Sequence, residues 1–366
     1  MANLWIDGFG RYGGDTSKMT NGSSSQAWAE ITGALALSAA NPRTGTHHLR
    51  LSSASSAESE ARRVFGAPLS EVYLGFALFC AKLPDAEATP ESGGRGVFLA
   101  QFRDQANQTQ FTVLLGTDGA IAIYQGGENG AMGETLGRTV PIIGAGAYQH
   151  IEIYARASAT DGAIEIRVDE VTRLNLTGVQ TTTTSSNEFS QFACGKFSLG
   201  ALPGNIDFAD FYANDTVNDG SGCHTFIGDC KSGVLMVDSD TAQSDFALSA
   251  GSSGYALLDD TPPDDGTFIS TSSGTARSDF GIVNVPENTS EILTVRPFVR
   301  AQKDDAGSAL IAPSMVSGGT KQDVDGQPIT TAFAYYDNNV PLNPATSAPW
   351  TRAELDAALQ AVERVA

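Results

Sequence analysis

Apolar and polar residues alternate with a period of two through residues 148–173. Ile151, Ile153 and Ala155 are interleaved with His150, Glu152, Tyr154 and Arg156. After Asp161-Gly162, Ile164, Ile166 and Val168 are interleaved with Glu165, Arg167 and Asp169. Successive side chains of a strand point to opposite faces. Two such runs around a turn signal therefore predict an antiparallel hairpin with one buried and one wet face. A helix needs apolar spacings of three and four, which this stretch lacks.

Shorter runs of the same kind precede and follow the hairpin. Residues 28–32 and 47–51 alternate, and 72–83 is apolar at nearly every position, as expected of a central strand covered on both faces. Residues 96–103 add an edge run. Residues 110–115 and 120–125 flank Gly116-Thr117-Asp118-Gly119 as a second hairpin, and 192–199 and 205–212 complete the set. Many short strands separated by Gly, Asp and Asn predict an all-β protein: an antiparallel two-sheet jelly-roll sandwich over residues 1–215. Residues 181–186 are a polar loop within it. The polar, turn-rich stretch 214–222 reads as a boundary. Residues 225–366 are then expected to form a smaller β-rich domain with strands near 233–237, 281–285 and 292–301, and a long loop at 259–274. A helix is predicted over 351–364. Thr351 and Glu354 form a capping-box pattern after Trp350, and Leu355, Ala358, Leu359 and Val362 make one apolar stripe. That stripe either closes its own domain or docks a neighbouring subunit. Trp350, Leu355, Leu359 and Val362 are the candidate interface residues.

Composition supports two folded units more than it identifies a function. The chain has 366 residues, 41% of them hydrophobic, and 39 glycines to supply tight turns. Lys and Arg number 22 against 42 Asp and Glu, a formal charge of −20. Such a chain is repelled by phosphate backbones and anionic lipid, which disfavours nucleic acid and membrane surfaces as partners. The N-terminus shows no basic start followed by an apolar core, and no apolar run has the length of a bilayer span. The expectation is a protein made and kept in the cytoplasm, or released by lysis. Cys80 and Cys194 lie in apolar strand patterns. Cys223 and Cys230 are close enough in sequence to bridge, but a cytoplasmic origin favours reduced thiols.

Motifs for chemistry are sparse. The chain has no phosphate-binding GxxxxGK[ST], no HExxH, no CxxC and no GxSxG. His47 and His48 are neighbours on a strand and point to opposite faces; His150 is expected on the wet face and His224 in the linker. Jelly rolls that cleave glycans place their acids on one strand as Glu-x-Asp-x-(x)-Glu, but here Arg167 stands between Glu165 and Asp169-Glu170. Two Asp clusters are candidate calcium ligands: Asp207, Asp210 and Asp215, and Asp323-Val324-Asp325-Gly326. Neither has the spacing of an EF-hand loop, and turns rich in Asp are common without metal. No cofactor and no metal are expected. Trp5, Trp28, Tyr124, Tyr148 and Tyr154 are the rings that could face a sugar.

Several segments together resemble a family. Trp5-Ile6-Asp7-Gly8-Phe9, Asn41-Pro42-Arg43-Thr44-Gly45, the 151–169 hairpin and Asp207-Phe208-Ala209-Asp210-Phe211-Tyr212 are similar to concanavalin A-like, laminin G-like jelly rolls in virion proteins of tailed bacteriophages. In the second half, Phe226-Ile227-Gly228-Asp229, residues 255–268, Asn343-Pro344 and Trp350 belong to the same resemblance. It implies a multi-copy particle component, tail or tail-fibre associated, with other virion proteins as partners. A host surface glycan is a compatible ligand. A capsid decoration protein and a glycan-degrading enzyme of the same fold are the alternatives. The missing acid triplet argues against the enzyme, and the fold by itself implies no ligand.

Overall fold

A computed structural model describes residues 3–20, 28–85, 96–128, 131–197 and 201–365. Among the described residues, the first half contains fifteen strands. In chain order they are β1 (Asn3–Asp7), β2 (Glu30–Thr32), β3 (Leu35–Ser38), β4 (His48–Leu51), β5 (Ser59–Leu69), β6 (Glu71–Cys80) and β7 (Val97–Arg103). They continue with β8 (Thr109–Leu115), β9 (Ile121–Glu128), β10 (Ala131–Arg138), β11 (Tyr148–Arg156) and β12 (Gly162–Val168). The last three are β13 (Val171–Val179), β14 (Phe189–Lys196) and β15 (Ile206–Asn214). One sheet has the order β13-β12-β11-β6-β15-β4-β3, with β1 also paired to β15; the other runs β10-β9-β8-β7-β14-β5-β2. Every ladder in both is antiparallel, and the two sheets enclose one apolar core. This is the jelly-roll sandwich that the alternation predicts. The place expected for the run 96–103 is corrected: Val97–Arg103 is no edge but lies between two strands of its sheet. Residues 198 and 199, the end of the expected strand 192–199, lie outside the described residues.

The hairpin holds its register because one face is buried. Ile151 stands opposite Val168, Ile153 opposite Ile166 and Ala155 opposite Ile164. A one-residue slip would move all six out of the core. β13 follows β12 through a two-residue turn in which Asp169 and Glu170 both have positive φ, 51° and 65°. That is the backbone of a primed turn, whose twist matches the flanking strands. Two unpredicted strands have physical reasons for being missed. β5 carries Arg63 in its inward parity, and that guanidinium is buried over the Trp5 ring. β13 is an exposed edge with little apolar alternation.

The second half builds a smaller six-stranded sheet. Its strands run in the order Val237–Ser244, Ala276–Ile282, Leu359–Val365, Leu310–Ser317, Thr320–Lys321, with Gln327–Pro328 also on Leu310–Ser317. Phe298–Ala301 pairs with Ala334–Asp337 beside it. The halves touch through buried groups. Tyr335 is fully buried against the sandwich, edge-on to Tyr12, and the Arg11 guanidinium lies over the Tyr12, Phe298 and Tyr335 rings.

The expected helix over 351–364 is corrected here. The capping box forms, with Thr351 Oγ1 accepting from Glu354 N at 3.3 Å and Glu354 Oε2 from Thr351 N at 2.9 Å. The helix then runs only from Arg352 to Asp356. Leu359–Val365 is instead a central strand hydrogen-bonded on both sides, to Ala276–Ile282 and Leu310–Ser317. Two ladders outweigh the helical preference of seven residues, five of them good helix formers and two β-branched valines. The docking stripe is therefore not presented. Trp350, Leu355 and Val362 are buried in this half's own cores, and Leu359 is half-buried in the strand.

Candidate functional site

The outer face of the first sheet gathers a connected set of buried polar side chains. Alternation along β11 aims His150, Glu152 and Tyr154 outward, while β15 contributes Asp207, Asp210 and Tyr212, and β4 contributes His48 and Arg50. The hairpin's outer face was expected to be wet. At its centre it is dry: His150 is 2% exposed and Glu152 fully buried. The reason is the segment 223–232, which lies across the sheet as a strap.

The strap is held by carboxylates that accept its backbone amides. Glu152 Oε1 accepts from Gly228 N at 2.8 Å, Glu170 Oε1 from Asp229 N at 3.2 Å and Asp210 Oδ1 from Ser232 N at 3.0 Å. Arg43 completes the clamp. Its guanidinium donates to Asp210 Oδ2 at 3.0 Å and to the Cys230 carbonyl at 3.2 Å, and it pairs with Asp229. Thr44 also donates to Asp210. The conformation is further fixed by Tyr212, whose hydroxyl donates to Glu152 Oε1 and accepts from Ile227 N at 3.4 Å. Its ring lies over Gly75, where a Cβ would come within 2.0 Å of the Tyr212 ring, so β6 needs glycine there.

Burial shapes the titration of this cluster. It lowers the His150 pKa to about 4, helped by the nearby Arg43 charge, so the imidazole is neutral at pH 7. It pushes the Cys230 thiol up to about 12, with Asp210 adding to the effect, and it raises the Tyr212 hydroxyl with the Glu152 charge beside it. Further along the face, Arg50 grips Asp207 with two bonds, 2.7 and 2.8 Å, and His48 Nε2 lies 3.2 Å from the same carboxylate. Burial acts to raise the Asp207 pKa, but the hydrogen bonds from Arg50 and His48 outweigh it and hold the carboxyl below its usual range. Both ring nitrogens of His150 and Glu152 Oε2 have no protein partner.

The ends of the face carry half-buried aromatic rings. At one, Tyr73 packs on Tyr154 at 4.8 Å between centroids and edge-on to Phe226 at 4.9 Å, and Arg167 lies over Phe226 at 4.5 Å. Tyr154 donates to Glu71 at 2.8 Å. At the other, half-exposed Phe79 and Tyr148 pack at 5.3 Å beside the Arg50–Asp207 pair. Half-exposed aromatic rings flanked by fixed charge pairs can take a sugar ring's apolar face and its hydroxyls.

Other predicted candidates fall elsewhere. Trp5 and Trp28 are buried together at 5.1 Å, and Tyr124 is buried in a separate cluster. Asp207 and Asp210 are engaged by cationic side chains as described, and Asp215 Oδ1 caps Val217 N at 2.8 Å. The acids near Arg167 each brace the fold: Glu165 accepts from Arg167 and Thr172, and Asp169 accepts from His150 N. Among the described residues, no disulfide is formed and no group of three His, Cys, Asp or Glu side chains could hold a metal ion. The strap was not foreseen as part of the site. Its only signal was the Phe226-Ile227-Gly228-Asp229 motif in a polar, turn-rich region.

A concavity of about 470 Å³ opens in the second half, with Arg11 its one lining residue from the first half. Phe268, Ile269, Phe298 and Phe333 line it, and Arg300, fixed to Asp265 at 2.8 Å, stands at its wall.

No family model matches the chain, and no curated protein does. Solved structures are similar at low identity. A sialidase is 14% identical over 61% of this chain and 19% of its own length, with a TM-score of 0.39. The alginate lyase Aly36B is 14% identical over 58% of this chain and 97% of its own, with a TM-score of 0.41. The carbohydrate-binding module CBM66 from Bacillus subtilis is 14% identical over 46% and 86%, with a TM-score of 0.31. This chain thus spans about a fifth of the sialidase. Likenesses of this size carry no argument about ligand or activity.

Proposed function

We propose that this protein is a multi-copy structural component of a tailed-phage virion, associated with the tail or tail fibre, that recognises a host surface glycan without cleaving it. The observation that carries the glycan part is the end of the outer face where the half-buried rings of Tyr73, Tyr154 and Phe226 cluster between Glu71 and Arg167. The resemblance of the chain to phage jelly rolls supplies the particle. Its separate motif segments meet on this face: Arg43 and Thr44 clamp Asp210, and the 226–229 motif covers Glu152. Binding without hydrolysis is supported by the employment of Glu165, Asp169 and Glu170 as hydrogen-bond anchors of the hairpin and strap.

Titration of the purified protein against a panel of bacterial surface polysaccharides tests the reading. At least one should bind, and Tyr154→Ala should weaken it about tenfold while leaving the melting temperature nearly unchanged. No reducing sugar should be released. Mass spectrometry of purified particles should find the chain in several copies; its absence there would remove the virion half of the proposal.

A further inference from the structure

Sheet edges expose unpaired backbone groups, and folded proteins usually blunt them with short strands, charges, proline or bulges. Most edges in this molecule are blunted. β2 has three residues and β3 four. The β10 ladder shifts register three times, and the edge strand Val237–Ser244 carries Asp238 and Asp240 along a twice-shifted ladder. β13 differs. It has nine residues, no proline and one charge, Arg173. Its ladder to β12 shifts near Arg173 and Gly178, but residues 174–177 run in regular register, Leu174 to Ile166 through Thr177 to Ala163. Its other side has no strand partner among the described residues.

The strand reads Val-Thr-Arg-Leu-Asn-Leu-Thr-Gly-Val, nearly the same in both directions about Asn175. A two-fold axis perpendicular to the sheet reverses a strand and keeps its faces, so a self-pairing edge needs this symmetry. Centred on Asn175, the pairing sets Leu174 against Leu176 of the second copy, and Asn175 against its own mate. Arg173 meets Thr177, and Val171, half-exposed, meets Val179. No charge faces a like charge, which matters for a chain of net charge −20.

We propose that β13 pairs antiparallel with β13 of a second copy, joining two first sheets into one continuous sheet. The inference rests on the multi-copy part of the proposed function, but its test needs neither particle nor glycan, so either can fail alone. Sedimentation velocity of the full chain at physiological salt should show a reversible dimer. Asn175→Lys sets two lysines opposite each other and should weaken it at least about fivefold. Thr177→Glu, which faces Arg173 of the mate twice, should tighten it. Both positions are exposed, so melting temperatures should stay unchanged. Asn175→Cys should crosslink to a covalent dimer under mild oxidation, while the wild type, with buried or half-buried thiols, should not. A wild type that stays monomeric at the highest attainable concentration overturns the proposal. So does a dimer unmoved by Asn175→Lys whose Asn175→Cys variant fails to crosslink.

Discussion

The two faces of β11 are equally dry at their centres and are held by different physics. Inward, Ile151, Ile153 and Ala155 sit in an apolar core that asks only for volume and shape. Outward, His150 and Glu152 are buried just as deeply under the strap, and every polar atom there must find a partner or cost stability. The inner face is tolerant of chemistry within the apolar set; the outer one is specific to the atom. Burial alone therefore says little about what a position will accept.

Substitutions can separate the two regimes. The largest effect should come from Ile153→Ala, which leaves a cavity between packed sheets and should cost about 3 kcal/mol in urea unfolding. Glu152→Ala removes no comparable volume of core but leaves the Gly228 amide and the Tyr212 hydroxyl proton without their acceptor. It should cost about 2 kcal/mol and should expose the strap to protease, which Ile153→Ala should not do selectively. If the two variants lose equal stability and the strap stays protected in both, the comparison fails.

A pH titration sharpens it. The folded His150 pKa, about 4, lies below the ordinary histidine value, so the unfolded chain takes up its proton first. The stability this group lends is complete above about pH 6.5 and falls away as pH drops toward about 4. His150→Phe should flatten the dependence of the urea midpoint on pH across that window. Asp207 works lower down. Its depressed pKa lends stability above about pH 4 that is lost as pH falls through the folded value, and Asp207→Asn should remove that acid-side step. The smallest effect belongs to the strap's exposed Asp229. Asp229→Ala removes a half-exposed carboxylate from a guanidinium that keeps its bonds to Asp210 and the Cys230 carbonyl, and should cost less than about 1 kcal/mol.

The hairpin was legible in the sequence because its inward parity is purely apolar, and its register followed from that. Its outward chemistry was not, because the strap that dries His150 comes from more than seventy residues away in sequence, as the Glu152–Gly228 bond records. β5 was hidden by Arg63, an inward charge whose company is an aromatic ring and not water. At the C-terminus the local signal was right and its extent was wrong. Thr351 and Glu354 start a helix as their spacing says, but the stripe from Leu355 to Val362 fits both a helix face and a covered strand. Only the two flanking strands decide between them.

The place of Leu359–Val365 in the order of synthesis has a consequence for how the second half is made. Of the strands of its own sheet it is the last to leave the ribosome, yet it sits between Ala276–Ile282 and Leu310–Ser317. Until it emerges, those two strands have no common partner and their facing backbones stay open. The sandwich strands β1 to β15 are all translated long before, so the first sheets can assemble while the chain is still growing. The smaller sheet closes only after translation has passed residue 365. A stop codon after Trp350 would thus remove the middle of a sheet rather than its margin.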